Sequence, residues 1–334
     1  MQNMVLILDF GSQYTQLIAR KIREAGVYSE IHPFNTPLTK MEELKPKALI
    51  LSGSPYSITN EKAPKPDPGI WNLGIPILGI CYGMQLVGEH YGAKVAAAAK
   101  REYGKAQIRI VSEDILFRRV ENDSQVWMSH ADKIDSIPDC FQVIAATANS
   151  DHAAFRHKTL SIYALQFHPE VHHSLCGKQI LHNFLFEISG LKVSWNAGSF
   201  VNDAISKIRS MVKNDKVILG LSGGVDSSVA AALLHRAIGE RLIPIFVDTG
   251  LMRYQEARKV KDMFRAYPSL KIDFVDASEL FLGRLQGITD PEQKRKIIGA
   301  SFIEVFEAEA AKHPEAKWLA QGTLYPDVIE SVSF

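Results

Sequence analysis

The 334-residue chain has few cysteines, no excess of charge of either sign and no long apolar run. Its three cysteines, Cys81, Cys140 and Cys176, form no CxxC pair and leave an odd thiol, which favours a reducing compartment, the cytoplasm. The formal net charge of +1 gives no electrostatic case for nucleic-acid binding. A bilayer-spanning helix needs about 18 apolar residues in a row, so we expect a soluble protein with no membrane partner. The apolar stretch 4–8 has no basic flank and predicts a strand, not a signal peptide.

Short apolar runs rich in Val, Ile and Leu alternate with amphipathic helical stretches, and this cycle occurs twice. In the first half, "MVLILDF", "ALILSG" and "IPILGI" are continuously apolar, which indicates strands buried on both faces, as in a parallel sheet. "KVILGL" and "LIPIFVDTG" begin the cycle again. The sequence therefore predicts an α/β protein with two doubly wound domains, residues 1–190 and 200–334, joined by a linker at 191–199.

A cysteine lies between two glycines at the first predicted strand-to-helix junction. The string "GICYG" gives Gly79, Cys81 and Gly83 the G-x-nucleophile-x-G spacing of a nucleophile elbow. At a helix N-terminus the dipole would favour the thiolate of Cys81, and the backbone N–H of Tyr82 would face a developing oxyanion. A buried structural cysteine beside two packing glycines is the alternative that this spacing leaves open.

A thiolate nucleophile needs a base, and the base needs a group that orients it. The segment "FHPE" supplies His168 and Glu170, two residues apart after an apolar run. Because residues i and i+2 of an extended segment point the same way, we predict that these side chains act together with Cys81. His130, in "WMSHADK", is a further candidate for the substrate pocket.

"GICYGMQ" and "FHPE", together with "ILDFGSQYTQLIARKIRE" and "LILSGSP", resemble the class I glutamine amidotransferase family over residues 4–190. The resemblance implies a flavodoxin-like domain in which Cys81 attacks the side-chain amide of glutamine, His168 transfers the proton and Glu170 holds His168. A glutamyl thioester and free ammonia would follow. The resemblance also implies two further contacts, an oxyanion donor at Gly53 of the turn "SGSP", where Ser54 replaces a glycine, and a substrate-pocket residue at Gln85.

A second glycine-rich segment, "SGGVDSS" at residues 222–228, lies between a predicted strand and a predicted helix. Its glycines let successive backbone N–H groups converge, and the helix N-terminus adds partial positive charge, so the segment can form a nest for phosphate oxygens. The lysine and spacing of a Walker A motif are absent. A tight turn in which Asp226 and Ser227 cap the helix is the alternative.

The string resembles the PP-loop of the N-type ATP pyrophosphatases, which implies a Rossmann-like domain that binds ATP with Mg²⁺, adenylates an oxygen and releases pyrophosphate. Asp248, at the end of "LIPIFVDTG", is a candidate contact to the nucleotide or its magnesium, with a plain strand-end turn as the alternative. The sequence does not identify the metal ligands beyond this candidate. The ATP-binding residues that the resemblance implies are Ser222, Gly223, Gly224, Val225, Asp226, Ser227 and Ser228.

The order of the two domains, with "DPEQKRKIIG" and "WLAQGTLYPDVIES", resembles the glutamine-hydrolysing GMP synthetase family. The implied reaction adenylates xanthosine monophosphate with MgATP, and ammonia then displaces AMP to give GMP. That family continues beyond the position of Phe334 into a C-terminal dimerisation domain, so we expect a truncated chain. The full-length protein is expected to be a homodimer. Candidates for contacts near the acceptor, with helix-face and turn readings left open, are Lys294, Arg295, Lys296, Thr323 and Asp327.

Two other functions compete with this interpretation. One is a glutamine- and ATP-dependent amidotransferase with another acceptor, such as an NAD synthetase-like ligase. The other is a non-catalytic, nucleotide-binding regulator that retains the amidotransferase fold, which predicts no thioester at Cys81.

Overall fold

The computed structural model describes residues 3–265 and 269–322. The chain divides into two compact units, Met1–Asn196 and Ala197–Phe334. A helix begins at Ala197, inside the stretch predicted as linker. Thr323 and Asp327, predicted near the acceptor, lie outside the described residues. No helix within the described ranges is long and apolar enough to cross a membrane.

The first unit contains strands and helices in alternation at its beginning and mostly strands in its second part. Its strands are β1 (Met4–Asp9), β2 (Tyr28–Pro33), β3 (Ala48–Leu51), β4 (Ile77–Ile80), β5 (Lys94–Gln107), β6 (Arg109–Ile110), β7 (Gln125–Ser136), β8 (Phe141–Ala146), β9 (Ala154–His157) and β10 (Ile162–Leu165). Its helices are α1 (Thr15–Glu24), α2 (Leu38–Leu44), α3 (Tyr82–His90) and α4 (Gly177–His182), which continues as a π-helical turn, Asn183–Ile188. Short 3₁₀ turns occupy Pro68–Asn72 and Ile115–Phe117.

Eight of these strands form one sheet in the order β2-β1-β3-β4-β10-β9-β8-β6. The strands from β2 to β10 pair in parallel, as their apolar sequences predict, whereas β9, β8 and β6 extend the sheet antiparallel. The remaining two, β5 and β7, form a separate antiparallel ribbon that the sequence analysis did not predict. The sheet is therefore doubly wound only in its parallel part.

The parallel strands are buried on both faces. In β1, Val5 and Ile7 belong to a core that includes α1 and α4, whereas Leu6 and Leu8 belong to the core that includes α2 and α3. This alternation follows from the two-residue period of a strand. After β1 the chain runs to β2 on one side and returns to β3 on the other. A crevice is therefore expected at the carboxyl ends of β1 and β3, from which the connections leave in opposite directions.

The second unit is a smaller parallel α/β structure with strand order β13-β12-β11-β14. Its direction of winding reverses beside β11, which places a second crevice at the carboxyl ends of β11 and β14. The strands are β11 (Lys216–Gly220), β12 (Leu242–Asp248), β13 (Asp273–Asp276) and β14 (Ala316–Gln321). The helices are α5 (Ala197–Val212), α6 (Val225–Ile238), α7 (Glu256–Phe264), α8 (Ser278–Leu285) and α9 (Pro291–Ala310), with a 3₁₀ turn at Gly239–Arg241. The predicted class, two α/β domains, is confirmed.

Candidate active site

Cys81 occupies a strained position between β4 and α3. Its backbone has φ 56° and ψ −102°, and the strand ends at Ile80 while the helix begins at Tyr82. A side chain at such a φ is disfavoured sterically and persists only where the surroundings enforce it. Hydrogen bonds do so here, because the Cys81 N–H donates to the Leu165 carbonyl at 2.7 Å and the Gly83 N–H donates to the Ser52 carbonyl at 3.1 Å. The elbow predicted from the sequence is present.

The two flanking glycines let the elbow approach its neighbours. A Cβ atom on Gly79 would lie 2.4 Å from the Gly83 carbonyl oxygen, and one on Gly83 would lie 2.3 Å from the carbonyl oxygen of Leu51 in β3. Both obstacles are backbone atoms, which cannot rotate away. The spacing G-x-C-x-G is therefore required sterically for this turn.

Replacing Gly83 with alanine is expected to destabilise the first unit, because the new methyl group would push α3 away from β3. Overpacking of this kind costs about 1–3 kcal/mol, and a backbone obstacle places the variant near the upper end. A loss of about 3 kcal/mol corresponds to a Tm lowered by roughly 6–12 °C in calorimetry. In the control Gly299→Ala the new Cβ meets nothing within 4 Å in α9, so equal losses in the two variants would contradict the steric argument.

His168 and Glu170 form a buried pair at the end of β10. The Nδ1 atom of His168 lies 2.7 Å from Oε1 of Glu170, and the residues are 2% and 0% exposed. Burial alone would lower the pKa of His168, but the charge of Glu170, the charge of Cys81 and hydrogen bonds to both raise it well above its ordinary value. The pair therefore favours the imidazolium form of His168 beside the side chain of Cys81. This arrangement distinguishes the site from a buried structural cysteine.

Cys81 and His168 open into one cavity of about 490 Å³ at the carboxyl ends of the parallel strands. Of the predicted site residues, Tyr82 and Gln85 also line it. The other lining residues come from the segment after β1, the turn after β3 and the β5–β7 ribbon. They are Gly11, Ser12, Gln13, Tyr14, Ser54, Pro55, Tyr56, Ser57, Tyr103, Ser129, His130 and Asp132.

Strand β7 forms the wall of the cavity opposite the elbow. The Cys81 thiol lies 3.4 Å from the Ser129 carbonyl oxygen, and the Gln85 side-chain N–H donates to the Asp132 carbonyl at 3.3 Å. His130, predicted as a pocket contact, is 5% exposed and lines the cavity, with Nδ1 2.9 Å from the Asp132 carbonyl oxygen. The strand thus contacts the Cys81 thiol directly.

The turn after β3 presents Ser54, not Gly53, to the cavity. The Ser52 hydroxyl accepts from the Phe10 N–H at 3.1 Å and donates to the Gly53 carbonyl at 3.0 Å. Because a trans peptide holds its C=O and N–H on opposite sides, the Ser54 N–H points away from Ser52. Gly53 instead packs against the ring of His168, since a Cβ atom there would lie 3.2 Å from Cε1 of His168.

Several residues around Cys81 and His168 were not predicted from the sequence. Tyr14 packs edge-on against the ring of His168 with centroids 4.8 Å apart, and Ser12 and Ser129 line the cavity. The polar string "DFGSQY" after a buried strand was a usable signal for Ser12 and Tyr14. The role of Ser129 depends on a backbone carbonyl, for which the sequence carries no signal.

The PP-loop segment of the second unit follows β11 and leads into α6, as predicted. Gly223 has φ +80°, and a Cβ atom there would lie 2.5 Å from Cγ2 of Val260. The hydroxyls of Ser227 and Ser228 donate to the Gly224 carbonyl at 3.1 and 2.8 Å, and the Ser222 hydroxyl lies 3.0 Å from that of Ser227. These contacts fold the loop around the helix N-terminus.

The helix-cap alternative for this loop does not hold, because the N-cap residue of α6 is Gly224 and the cap makes no side-chain hydrogen bond. Asp226 lies in the first turn of α6, beside the carboxyl end of β14, since a Cβ atom on Gly322 would be 3.7 Å from its Cβ. Asp248 ends β12 at the same edge, and its Oδ1 accepts from the Gly250 N–H at 3.0 Å. Carboxylate oxygens of this kind suit Mg²⁺ bound to phosphate.

A different cluster, Asp273, Glu309 and His313, is the candidate metal group found among the described residues, with ligand atoms within 4.8 Å of one another. It lies at the amino end of β13, the edge of the parallel sheet opposite the PP-loop. His313 Nε2 already lies 2.9 Å from Asp273 Oδ2, and Glu309 pairs with Lys312. This cluster therefore lies at the amino ends of the strands, away from the PP-loop at their carboxyl ends.

The predicted basic segment of α9 is solvent-exposed and carries its own counter-charge. Arg295 Nη2 lies 2.7 Å from Glu292 Oε1, and Lys296 Nζ lies 3.9 Å from the same oxygen. The helix-face interpretation thus has direct support for these two residues, while a contact to the acceptor stays a prediction, as it does for Lys294.

The fold and site define an α/β protein of the class that displays a cysteine at a strand-to-helix elbow beside a buried histidine–carboxylate pair. Residues 6–188, more than half of the chain, match the family profile described as glutamine amidotransferase class-I. The chain belongs to the class-I glutamine amidotransferase family. Residues 198–287 match a second profile, described as NAD synthase.

Curated relatives match both units. Proteins described as GMP synthase (glutamine-hydrolyzing) are 55% identical over 99% of this chain in Solidesulfovibrio magneticus and 54% identical over 98% in Campylobacter hominis. The chain spans 64% of the length of each of these relatives. A crystal structure from Thermoplasma acidophilum, of a protein provisionally assigned as one subunit of a GMP synthase, is 33% identical with a TM-score of 0.51, covering 57% of this chain and 95% of that one.

Proposed function

We propose that the first unit hydrolyses glutamine to glutamate and ammonia, with Cys81 as nucleophile, His168 as acid and base, and Glu170 as the residue that orients His168. The observation that carries this proposal is the shared cavity, into which a strained cysteine and a buried, carboxylate-paired histidine both open. A structural cysteine would need neither the backbone strain nor the charged pair.

The reaction begins when the thiolate of Cys81 attacks the carbonyl carbon of the glutamine side-chain amide and forms a C–S bond. As the tetrahedral intermediate collapses, the C–N bond breaks and the imidazolium of His168 gives its proton to the leaving nitrogen, so ammonia departs and a thioester remains. Water then attacks the thioester and loses a proton to neutral His168. The C–S bond breaks, glutamate leaves with release of its carboxyl proton, and the thiolate–imidazolium pair is restored.

Two backbone N–H groups would stabilise the oxyanion of that intermediate. One belongs to Tyr82, the first residue of α3, whose N–H has no intrahelical partner by its position. The other belongs to Ser54. This residue lines the cavity, and its N–H points away from Ser52. Donation from Gly53 itself stays a prediction. Gln85, whose side-chain N–H donates to the Asp132 carbonyl of β7, would contact the rest of the substrate.

The second unit is proposed to bind MgATP at the PP-loop, residues 222–228. The supporting observation is that this loop lies at the reversal of winding beside β11, where open parallel sheets bind ligands. The backbone N–H groups of the loop and the start of α6 would hold the phosphates, with Asp226 and Asp248 as the carboxylates available to Mg²⁺. The ion would neutralise charge on the pyrophosphate that leaves during adenylation.

Replacing Gly223 with alanine is expected to weaken ATP binding about 10-fold or more, because the new methyl group meets Val260 at a φ that side chains disfavour. Calorimetric titration with MgATP measures the effect. The control is Gly239→Ala, at φ +62° with nothing within 4 Å of the new Cβ. An unchanged Kd for Gly223→Ala, or equal losses in both variants, would argue against this loop as the ATP site.

For the whole protein we propose glutamine-dependent GMP synthesis, in which the ammonia aminates xanthosine monophosphate that ATP has adenylated, giving GMP, AMP and pyrophosphate. Support comes from the curated GMP synthases, which match 98–99% of this chain across both units. Joining the two activities is chemically reasonable, because ammonia released into neutral water is largely protonated and no longer nucleophilic. Residues 1–190 and 200–334 would then be the glutaminase and ATP-using domains.

The acceptor separates this function from its main rival. The NAD synthase profile over residues 198–287 favours, as a second candidate, a ligase that amidates a carboxylate of a nicotinate dinucleotide. The encoded polypeptide should be assayed for ammonia-dependent AMP formation with xanthosine monophosphate and, separately, with nicotinic acid adenine dinucleotide. Turnover of the dinucleotide alone would replace the first proposal. Resemblance to the GMP synthetase family further supports a homodimer, and light scattering would test this oligomeric state. The same resemblance supports a cytoplasmic location.

A further inference from the structure

Ser174 is a buried serine in the loop that follows His168, and none of the proposed steps uses it. It is 5% exposed. Its hydroxyl donates to the His168 carbonyl at 2.6 Å and accepts from the Trp127 N–H at 3.0 Å. Both hydrogen bonds are to backbone groups, so the hydroxyl joins the main chain of His168 to strand β7.

The same two segments are also linked directly, because the His168 N–H donates to the Trp127 carbonyl at 3.0 Å. The backbone of His168 is thus attached to β7 on both its N–H and its C=O side. Two residues further along β7, the Ser129 carbonyl oxygen accepts a hydrogen bond from the Cys81 thiol at 3.4 Å. One strand therefore contacts the nucleophile and holds the backbone of the base.

The other contacts of His168 leave this task open. Glu170 orients the imidazole through Nδ1, and Tyr14 packs against the ring, but both act on the side chain. The backbone of His168 is held relative to the thiol from two directions. Strand β10 holds the segment before it, where the Leu165 carbonyl accepts from the Cys81 N–H at 2.7 Å, and β7 holds the N–H and C=O of His168 itself. A displacement of about 1 Å between reacting groups can cost roughly 100-fold in rate.

We propose that Ser174 is a positioning residue that sets the separation between the imidazole of His168 and the thiol of Cys81 by bridging the His168 carbonyl to β7. The inference rests on the proposed glutaminase function. The loop itself has other support, because the Ser174 N–H donates to the Val171 carbonyl at 3.1 Å and the Gly177 N–H donates to the Ser174 carbonyl at 3.0 Å. Removing the hydroxyl therefore tests the bridge while the turn keeps its own hydrogen bonds.

The test compares Ser174→Ala with Ser174→Thr, which retains a hydroxyl, and with Ser150→Ala, a buried serine whose hydroxyl has no hydrogen-bond partner within the described residues. In Ser174→Ala we expect kcat for glutamine hydrolysis to fall about 10- to 100-fold with KM within about 3-fold of the parent. Alkylation of Cys81 by iodoacetamide should be slower than in the parent at every pH tested, because the imidazole no longer lies at its proper distance from the thiol. The threonine variant should recover most of both losses, and the Ser150 variant should show neither.

A purely structural serine would give a different result. A lower Tm for Ser174→Ala, with unchanged kcat per folded molecule and an unchanged alkylation profile, would overturn the proposal. So would a natively stable threonine variant as impaired as the alanine variant. Failure of the glutaminase function is separate, because it would appear in the parent chain as absent ammonia release and absent labelling of Cys81 by a glutamine-mimicking electrophile.

Discussion

Replacement of Cys81 by serine should lower glutamine hydrolysis about 10⁴-fold or more, while MgATP binding by the second unit stays unchanged. The expected loss is large because a serine hydroxyl does not ionise beside His168, whereas the thiol can form a thiolate that the imidazolium stabilises. The backbone strain of the elbow would remain in the variant, but the thiol that the elbow presents to the cavity would be absent. Ammonia release, measured enzymatically against glutamine concentration, gives the rate.

The other two cysteines provide matched controls for this prediction. Cys140 is half-buried outside the cavity, and burial raises the pKa of the Cys176 thiol, which keeps it protonated at neutral pH. A glutamine-mimicking electrophile should therefore label Cys81 alone, as read by mass spectrometry of the digested protein. Equal labelling of Cys140, or full activity in Cys81→Ser, would return Cys81 to the class of packing residues.

The elbow and the histidine–carboxylate pair could be predicted because both depend on local geometry. A glycine on each side of Cys81 and a spacing of two residues between His168 and Glu170 are constraints within a few residues of the chain. The structure adds the reason for the glycines, which is the approach of α3 to the Leu51 carbonyl. That reason involves another strand, so the sequence shows the requirement without its cause.

The opposite wall of the cavity could not be predicted in the same way. Strand β7 pairs with β5 across a long separation in sequence, and its contact with Cys81 uses a backbone carbonyl. Neither feature depends on the type of residue at Ser129. The same limit applies to the turn after β3, where hydrogen bonding by Ser52 decides that Ser54 lines the cavity.

The PP-loop shows a different limit. Composition left open whether Asp226 and Ser227 cap α6 or whether the loop binds phosphate. The structure removes the first reading, because the Ser227 hydroxyl donates to a carbonyl and a cap must accept from an N–H. The strand order then places the loop at the reversal of winding. Sheet order depends on the whole unit, so no short motif could provide that second argument.

Glu170→Gln is expected to lower kcat about 10²- to 10⁴-fold and to move the alkaline limit of activity to lower pH. Burial opposes the charged form of His168, and the carboxylate of Glu170 is the largest of the causes that raise its pKa. Without that charge, the unfavourable effect of burial on the imidazolium is opposed less, so the pKa of His168 falls. The imidazolium is then lost at lower pH. The measurement is kcat against pH for both proteins.

The same charge also gives a stability test, because the effect of Glu170→Gln on Tm should depend on pH. Because the pKa of His168 is raised in the folded state, its stabilising contribution is complete below its ordinary pKa of about 6.5 and is lost as pH rises through the raised value. The Tm difference between parent and Glu170→Gln should therefore shrink as pH rises. Glu187→Gln, which breaks a surface pair with Arg118, should change neither profile. If the Glu170 variant kept the parental alkaline limit, the carboxylate would serve to orient the ring and not to hold its charge.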